Sequence, residues 1–163
     1  MAVMPRSFTA LLGVLALLAA MPSGAPAAMT SDEVRNVLFH LEKANKGDAA
    51  AQFALGSCYA QGEGAEKDSS RAQAWYRKAA DQGHAEAQLM VGLGLLQGDG
   101  ITQDVIEAYA YLSLASPTFT QARSSLELLE KQLDPARLEA ARKRTTSLRS
   151  EIASRRAAKS QHN

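Results

Sequence analysis

Between residues 72 and 115 the apolar side chains recur at spacings of three and four: Ala72, Trp75, Tyr76, Ala79 and Ala80, then Ala108, Tyr111, Leu112 and Ala115. That period predicts two amphipathic helices. Ahead of each, another helical stretch runs from Ala49 to Gln61 and from Ala85 to Gln97, with Gly56 and Gly92 at the middle. Glycine inside a helix costs about 1 kcal/mol relative to alanine, so its recurrence predicts a close approach by another backbone. The rings at Phe39, Trp75 and Tyr111 stand 36 positions apart and predict an aromatic spine along the second-helix layer.

The stretches joining first to second helices read QGEGAEKDS over 61–69 and QGDGITQDV over 97–105. Gly62 and Gly98 follow the last turn of a first helix, where a left-handed residue ends the helix and glycine adopts that conformation cheaply. Gly64 and Gly100 recur inside the same turn and predict backbone conformations that other residues disfavour. Asp68 and Asp104 stand where the next helix begins, placed to accept its orphan N–H groups, and Glu107 three residues after Asp104 predicts a capping box. A dinucleotide loop would need a preceding strand and a third glycine, where Lys67 and Gln103 stand, and a calcium loop would need alternating oxygen ligands and a closing Glu. The motif is a helix-to-helix turn.

Sliding the chain by 36 residues superposes the two units without a gap. Ala51-Gln52 meets Ala87-Gln88, Gly56 meets Gly92, and Ala79 meets Ala115; sliding back, Asp32, Arg35, Phe39, Ala44 and Gly47 meet Asp68, Arg71, Trp75, Ala80 and Gly83. The organisation read from this is a half-repeat over 28–48, whole repeats over 49–84 and 85–116, capping helices over 117–157 and a disordered tail over 158–163. In the capping part Pro117 ends the last repeat helix, and Ala122, Leu126, Leu129 and Leu133 form one stripe. Asp134-Pro135 starts a final helix carrying Leu138, Ala141, Thr145, Leu148 and Ile152. The two stripes predict a closing hairpin, as a solenoid end requires a cap with a polar outer face.

The run AQFALGSCYAQGEGAEKDSSRAQAWYRKAADQGHAEAQ resembles a Sel-1-like repeat of the tetratricopeptide superfamily, with its A-x-x-L-G-x-x-Y-x-x-G-x-G, K-D, A-x-x-W-Y-x-x-A-A and Q-G-H elements. The second copy departs at Val91, Leu95, Gln103 and Ser116. The resemblance covers about residues 32 to 116. It implies an all-α fold, a short right-handed α/α superhelix with a C-terminal capping hairpin, which binds proteins or peptides and seldom catalyses. Cysteine-rich members assigned penicillin-binding or hydrolysing activity clamp each repeat with paired cysteines; here Cys58 has no partner and Gly94 stands at its counterpart. That activity is not carried over.

The first 27 residues read as a secretory signal peptide: Arg6, an apolar run from Phe8 to Met21, Pro22 and Gly24, then Ala25-Pro26-Ala27. The run is shorter than the roughly 18 residues a spanning helix needs. No twin arginine is present. The expectation is a periplasmic protein, with secretion as the alternative, held by apolar burial because one cysteine cannot staple it. Composition agrees with packed helices, at 46% hydrophobic and 21% charged with few aromatics.

No catalytic constellation, cofactor motif or metal-ligand spacing is found. His40, His84 and His162 have no His, Cys or carboxylate at recurring ligand spacing, and no G-x-S-x-G elbow accompanies Ser57. Charge divides along the chain: 9 Lys/Arg against 15 Asp/Glu from Ala28 to Asp134, a net of −6, and 8 against 2 from Pro135 onward, a net of +6. Arg142, Arg149 and Arg156, spaced by sevens on the final helix, form a candidate basic face. Nucleic acid is not expected, since no aromatic residue interleaves the basic stretch, and contact with anionic lipid is expected to be weak at most. A second candidate surface is the strip Leu89, Met90, Leu93 and Leu96 on a helix apolar all round, which is either packed under the closing hairpin, the favoured reading, or presented to a partner, with Leu96 expected to be covered and Leu89 open. The resulting reading is an exported, non-catalytic adaptor or regulator that binds a protein or peptide. The rivals are a cell-wall or β-lactam-active enzyme and a self-assembling structural module.

Overall fold

A computed structural model describes residues 30–161; residues 1–29, where the signal peptide is expected, and the last two residues, including His162, lie outside the described residues. The described chain is helical: α1 Ser31–Asn45, α2 Ala49–Gln61, α3 Ser69–Ala80, α4 Ala85–Gln97, α5 Val105–Ala115, α6 Thr120–Gln132 and α7 Pro135–Ser160. No strand occurs among the described residues, and none of these helices is long and apolar enough to cross a membrane. Helices α2 with α3 and α4 with α5 form the two antiparallel pairs of a short solenoid. Among the described residues helix α1 lies in front as a second helix without a first of its own. Among the described residues the buried apolar side chains gather in three core clusters.

The recurring sequence features each have a physical task. Gly62 and Gly98 close α2 and α4 in the left-handed region at φ 81° and 72°. Gly64 and Gly100 have φ of 69° and 70°, and a Cβ there would collide with the backbone carbonyl of Glu33 or Ser69. Each repeat thus presses its turn glycine onto the first turn of the preceding second helix. Gln52 and Gln88, both buried, donate to the carbonyls of Ala44 at 3.0 Å and Ala80 at 3.3 Å, satisfying helix-end acceptors of the repeat before.

At the mid-helix glycines the expected backbone approach is present: a Cβ on Gly56 would lie 3.2 Å from the Ala72 carbonyl oxygen, and one on Gly92 would lie 3.3 Å from Leu112 N. A side chain comes closer still, the Tyr76 ring over Gly56 and the Leu112 side chain over Gly92. The capping box expected at Asp104 is replaced. Asp104 caps both Ile106 and Glu107 N–H at 3.0 Å, but the Glu107 side chain turns away to two arginines. A reciprocal box does exist at Thr30 and Glu33, opening α1. The aromatic spine is uneven: Tyr111 is 1% exposed, Trp75 half-buried and Phe39 53% exposed.

The closing segment differs most from expectation. The stripe on α7 is buried as predicted, through Ala141, Thr145, Leu148 and Ile152, but α7 packs along α5 rather than folding back on α6 as a hairpin. A hydrophobic stripe specifies which face of a helix is covered and leaves its neighbour open. The helix also continues through Ser160, which corrects the disordered tail expected from residue 158. Lys159 holds that end by donating to the Gly47 carbonyl at 2.7 Å and to Gln82 Oε1 at 2.6 Å.

Candidate functional site

Helix α7 is fixed by polar anchors on either side of its buried stripe. Arg144 Nε and Nη2 donate to Glu107 at 2.5 and 3.0 Å, and Nη1 reaches Glu151 at 2.8 Å. Arg77 from α3 donates to the same Glu107 at 2.8 Å, so one carboxylate, with its side chain 12% exposed, joins α3, α5 and α7. Hydrogen bonding to Glu107 raises the Arg144 pKa further, and accepting from Ser147 and then Arg144 lowers that of Glu151. Near the end of α3, Asp81 accepts from the Tyr111 hydroxyl at 2.8 Å and pairs with Arg155 at 2.8 Å. Burial, reinforced by the Asp81 hydrogen bond, pushes the Tyr111 phenol up.

These anchors carry α7 past the starts of both first helices. One groove of about 290 Å³ is bounded by Arg149 and Arg156 on one side and Gly83, Ala85 and Gln88 on the other. A second, of about 340 Å³, contains Ala49 and Gln82 opposite Arg155, Arg156 and Lys159. Arg156 is common to both. Among the described residues Arg149 and Arg156 meet no carboxylate at salt-bridge distance, whereas Arg144 and Arg155 do. Of the local acids, Asp48 accepts from Ala51 N–H as the cap of α2, and Asp81 pairs with Arg155.

The three candidate arginines therefore separate. Arg149 and Arg156 share the groove, and Arg142 turns to Glu130 on α6 at 3.8 Å, where the Tyr109 hydroxyl also donates at 2.7 Å. The apolar strip separates too, and it is not a free surface. Leu89 is 8% exposed, in a cluster with Tyr109, Leu112, Ala122 and Leu129; Leu93 and Leu96 are half-buried against the same cluster, and Met90 packs on the opposite one. The expected order is reversed: Leu89 is covered, and Leu96 borders a groove of about 460 Å³ with Val105, Leu128 and Leu133. The apolar circumference of α4 is explained by enclosure on both sides.

The polar groups that could do chemistry are used structurally. His84 Nδ1 accepts from Ala87 N–H at 3.4 Å as the cap of α4, and its ring stacks on Phe53 at 4.8 Å. Ser57 donates to the Phe53 carbonyl at 3.2 Å and accepts from Tyr76 at 3.3 Å. Cys58 is buried, and burial raises its thiol pKa, which disfavours the nucleophilic thiolate. Among the described residues no group of three His, Cys, Asp or Glu side chains could hold a metal ion.

The sequence reading missed Glu107 as a hub, Asp81 as an anchor and Lys159 as a tether. Glu107 occupied a position that already had an explanation in helix capping. For Asp81 and Lys159 the partners lie 30 or more residues away, and no local pattern marks such pairs.

The family model described as Sel1 repeat matches residues 49–84 and 85–116. Among solved structures, the chain is 30% identical to a protective antigen present in uropathogenic Escherichia coli strains displaying an SLR fold, with a TM-score of 0.68 over 81% of this chain and 29% of that one. It is 35% identical to a Sel1 repeat protein from Oxalobacter formigenes, with a TM-score of 0.56 over 59% of this chain and 40% of that one. The matched segment thus spans less than half of either relative. No curated protein matches the chain.

Proposed function

We propose, from the premise that this chain carries two Sel1 repeats in a Sel-1-like solenoid, that it is an exported, non-catalytic adaptor docking an acidic segment of another protein in the periplasm. Sel1 repeats generally serve as protein-interaction scaffolds. The observation that carries this assignment is the groove under α7, where Arg149 and Arg156 face the repeat starts with no carboxylate of their own. A groove that presents unneutralised guanidinium groups favours carboxylates, which arginine can grip through two hydrogen bonds. The leader supports export, and its expected cleavage would leave a chain beginning at Ala28.

Fluorescence anisotropy with a labelled Glu/Asp-rich peptide tests the docking site on the chain from residue 28 to 163. Binding is expected to weaken with salt and to vanish in Arg149→Glu/Arg156→Glu, with melting unchanged, while Arg142→Glu retains it. Equal binding by the double variant overturns the assignment, as does recruitment to anionic vesicles with no peptide binding. Cell fractionation with N-terminal sequencing tests export; an uncleaved cytoplasmic chain refutes it.

A further inference from the structure

We propose that the chain forms a symmetric dimer through α1, the outer face of one copy lying antiparallel on the same face of a second. Among the described residues the exposed large apolar side chains are Val34 at 38%, Leu38 at 59%, Phe39 at 53% and Leu128 at 59%, so three of the four lie on one helix. The repeat equivalents of Val34 and Leu38 are Ser70 and Ala74, both exposed on α3, so α1 carries large apolar side chains at positions where the repeat places small or polar ones facing solvent.

Charge identifies the occupant. On α1, Arg35 pairs with Asp32 at 2.7 Å and Lys46 with Glu42 at 2.6 Å, all four side chains at least 70% exposed. Pairs of that kind contribute little and exchange readily. An antiparallel pairing with its two-fold axis between Leu38 and Phe39 sets each Leu38 against Phe39 of the second copy. The same register sets Arg35 against Glu42 of the second copy, with Asp32 opposite Asn45 and next to Lys46. Arg35 and Glu42 project between the Leu38 and Phe39 directions, seven residues apart on one helical face. The face is thus complementary to itself in both shape class and charge, which is what an isologous two-fold contact requires. The proposal is independent of the groove under α7.

Light scattering on the chain from residue 28 to 163, over a concentration series, tests it. The mass is expected to rise from one chain to two. Leu38→Asp is expected to remain a single chain at every concentration with its helical signal and melting intact, because the side chain is exposed. Arg35→Glu loses two symmetry-related pairs and is expected to weaken the dimer on the order of tenfold. Arg35→Glu/Glu42→Arg restores the complementarity and the dimer. A wild-type chain that stays single throughout overturns the proposal, as do a dimer unaffected by Leu38→Asp and a charge swap that fails to restore association. If Leu38→Asp does not fold, the charge swap decides alone.

Discussion

Phe39, Trp75 and Tyr111 occupy one repeat position in three successive second helices, yet their fates differ along the molecule. At the closed end Tyr111 lies under α7, 1% exposed and bonded to Asp81; at the open end Phe39 is 53% exposed on α1, with Lys43 over its ring at 4.3 Å. Trp75 lies between them, half-buried and with Lys78 above its face at 3.7 Å. The repeat signature places a ring at each site. What covers the ring is decided by α7, whose sequence lies outside the repeat.

The most severe way to break this comparison is to remove the rings. Tyr111→Ala is expected to cost about 3–5 kcal/mol, enough to unfold a domain of ordinary stability, as measured by urea denaturation. Trp75→Ala, which the sequence pattern alone would rank as highly, is expected to cost less, roughly 2–3 kcal/mol, because part of its surface is already wet. Phe39→Ala is expected to stay within about 0.5 kcal/mol in dilute monomer. Equal losses at the three sites would show that the repeat position, and not the cover, sets the energy.

The next largest effect is expected at the carboxylate holding the cover. Glu107→Gln removes the charge shared by Arg77 and Arg144 and is expected to destabilise by about 2 kcal/mol, with the loss shrinking in Glu107→Gln/Arg144→Met. Additive losses in that cycle would mean that the two residues do not interact. A smaller loss is expected at the open end from Gly64→Val, which strains φ 69° and drives a Cβ into the Glu33 carbonyl. Local displacement of α1 limits this to about 1 kcal/mol or somewhat more of global stability. Gly100→Val makes the same collision with α3 inside the closed body and is expected to cost more, so identical midpoints for the two variants would erase the distinction between the ends.

Much of the fold was legible because its punctuation is chemical and local. The boundaries of α2 and α4 follow from Gly62 and Gly98, residues that reverse φ, and those of α3 and α5 from Asp68 and Asp104, residues that supply cap oxygens. Less was legible in the closing segment. Leu148 and Ile152 announce a buried face, but the choice of α5 over α6 as neighbour depends on Arg144 finding Glu107 and Arg155 finding Asp81 across long separations. The candidate site was legible only in part for the same reason. Arg149 and Arg156 were visible as a basic face, while Arg142 leaves it through a contact with Glu130 that spacing by sevens does not encode. Leu89 was misjudged because apolar excess on a helix reads alike for a binding strip and for enclosure on several sides.

Native-state hydrogen exchange, at a concentration low enough to keep the chain monomeric, tests the contrast between the ends most directly. Covered helices should exchange only through global unfolding, and an uncovered one through local opening. The account predicts protection that rises from α1 through α3 to α5, with the α5 amides around Tyr111 opening at the global free energy and the α1 amides around Phe39 opening well below it. Protection of α1 equal to that of α5 would contradict it.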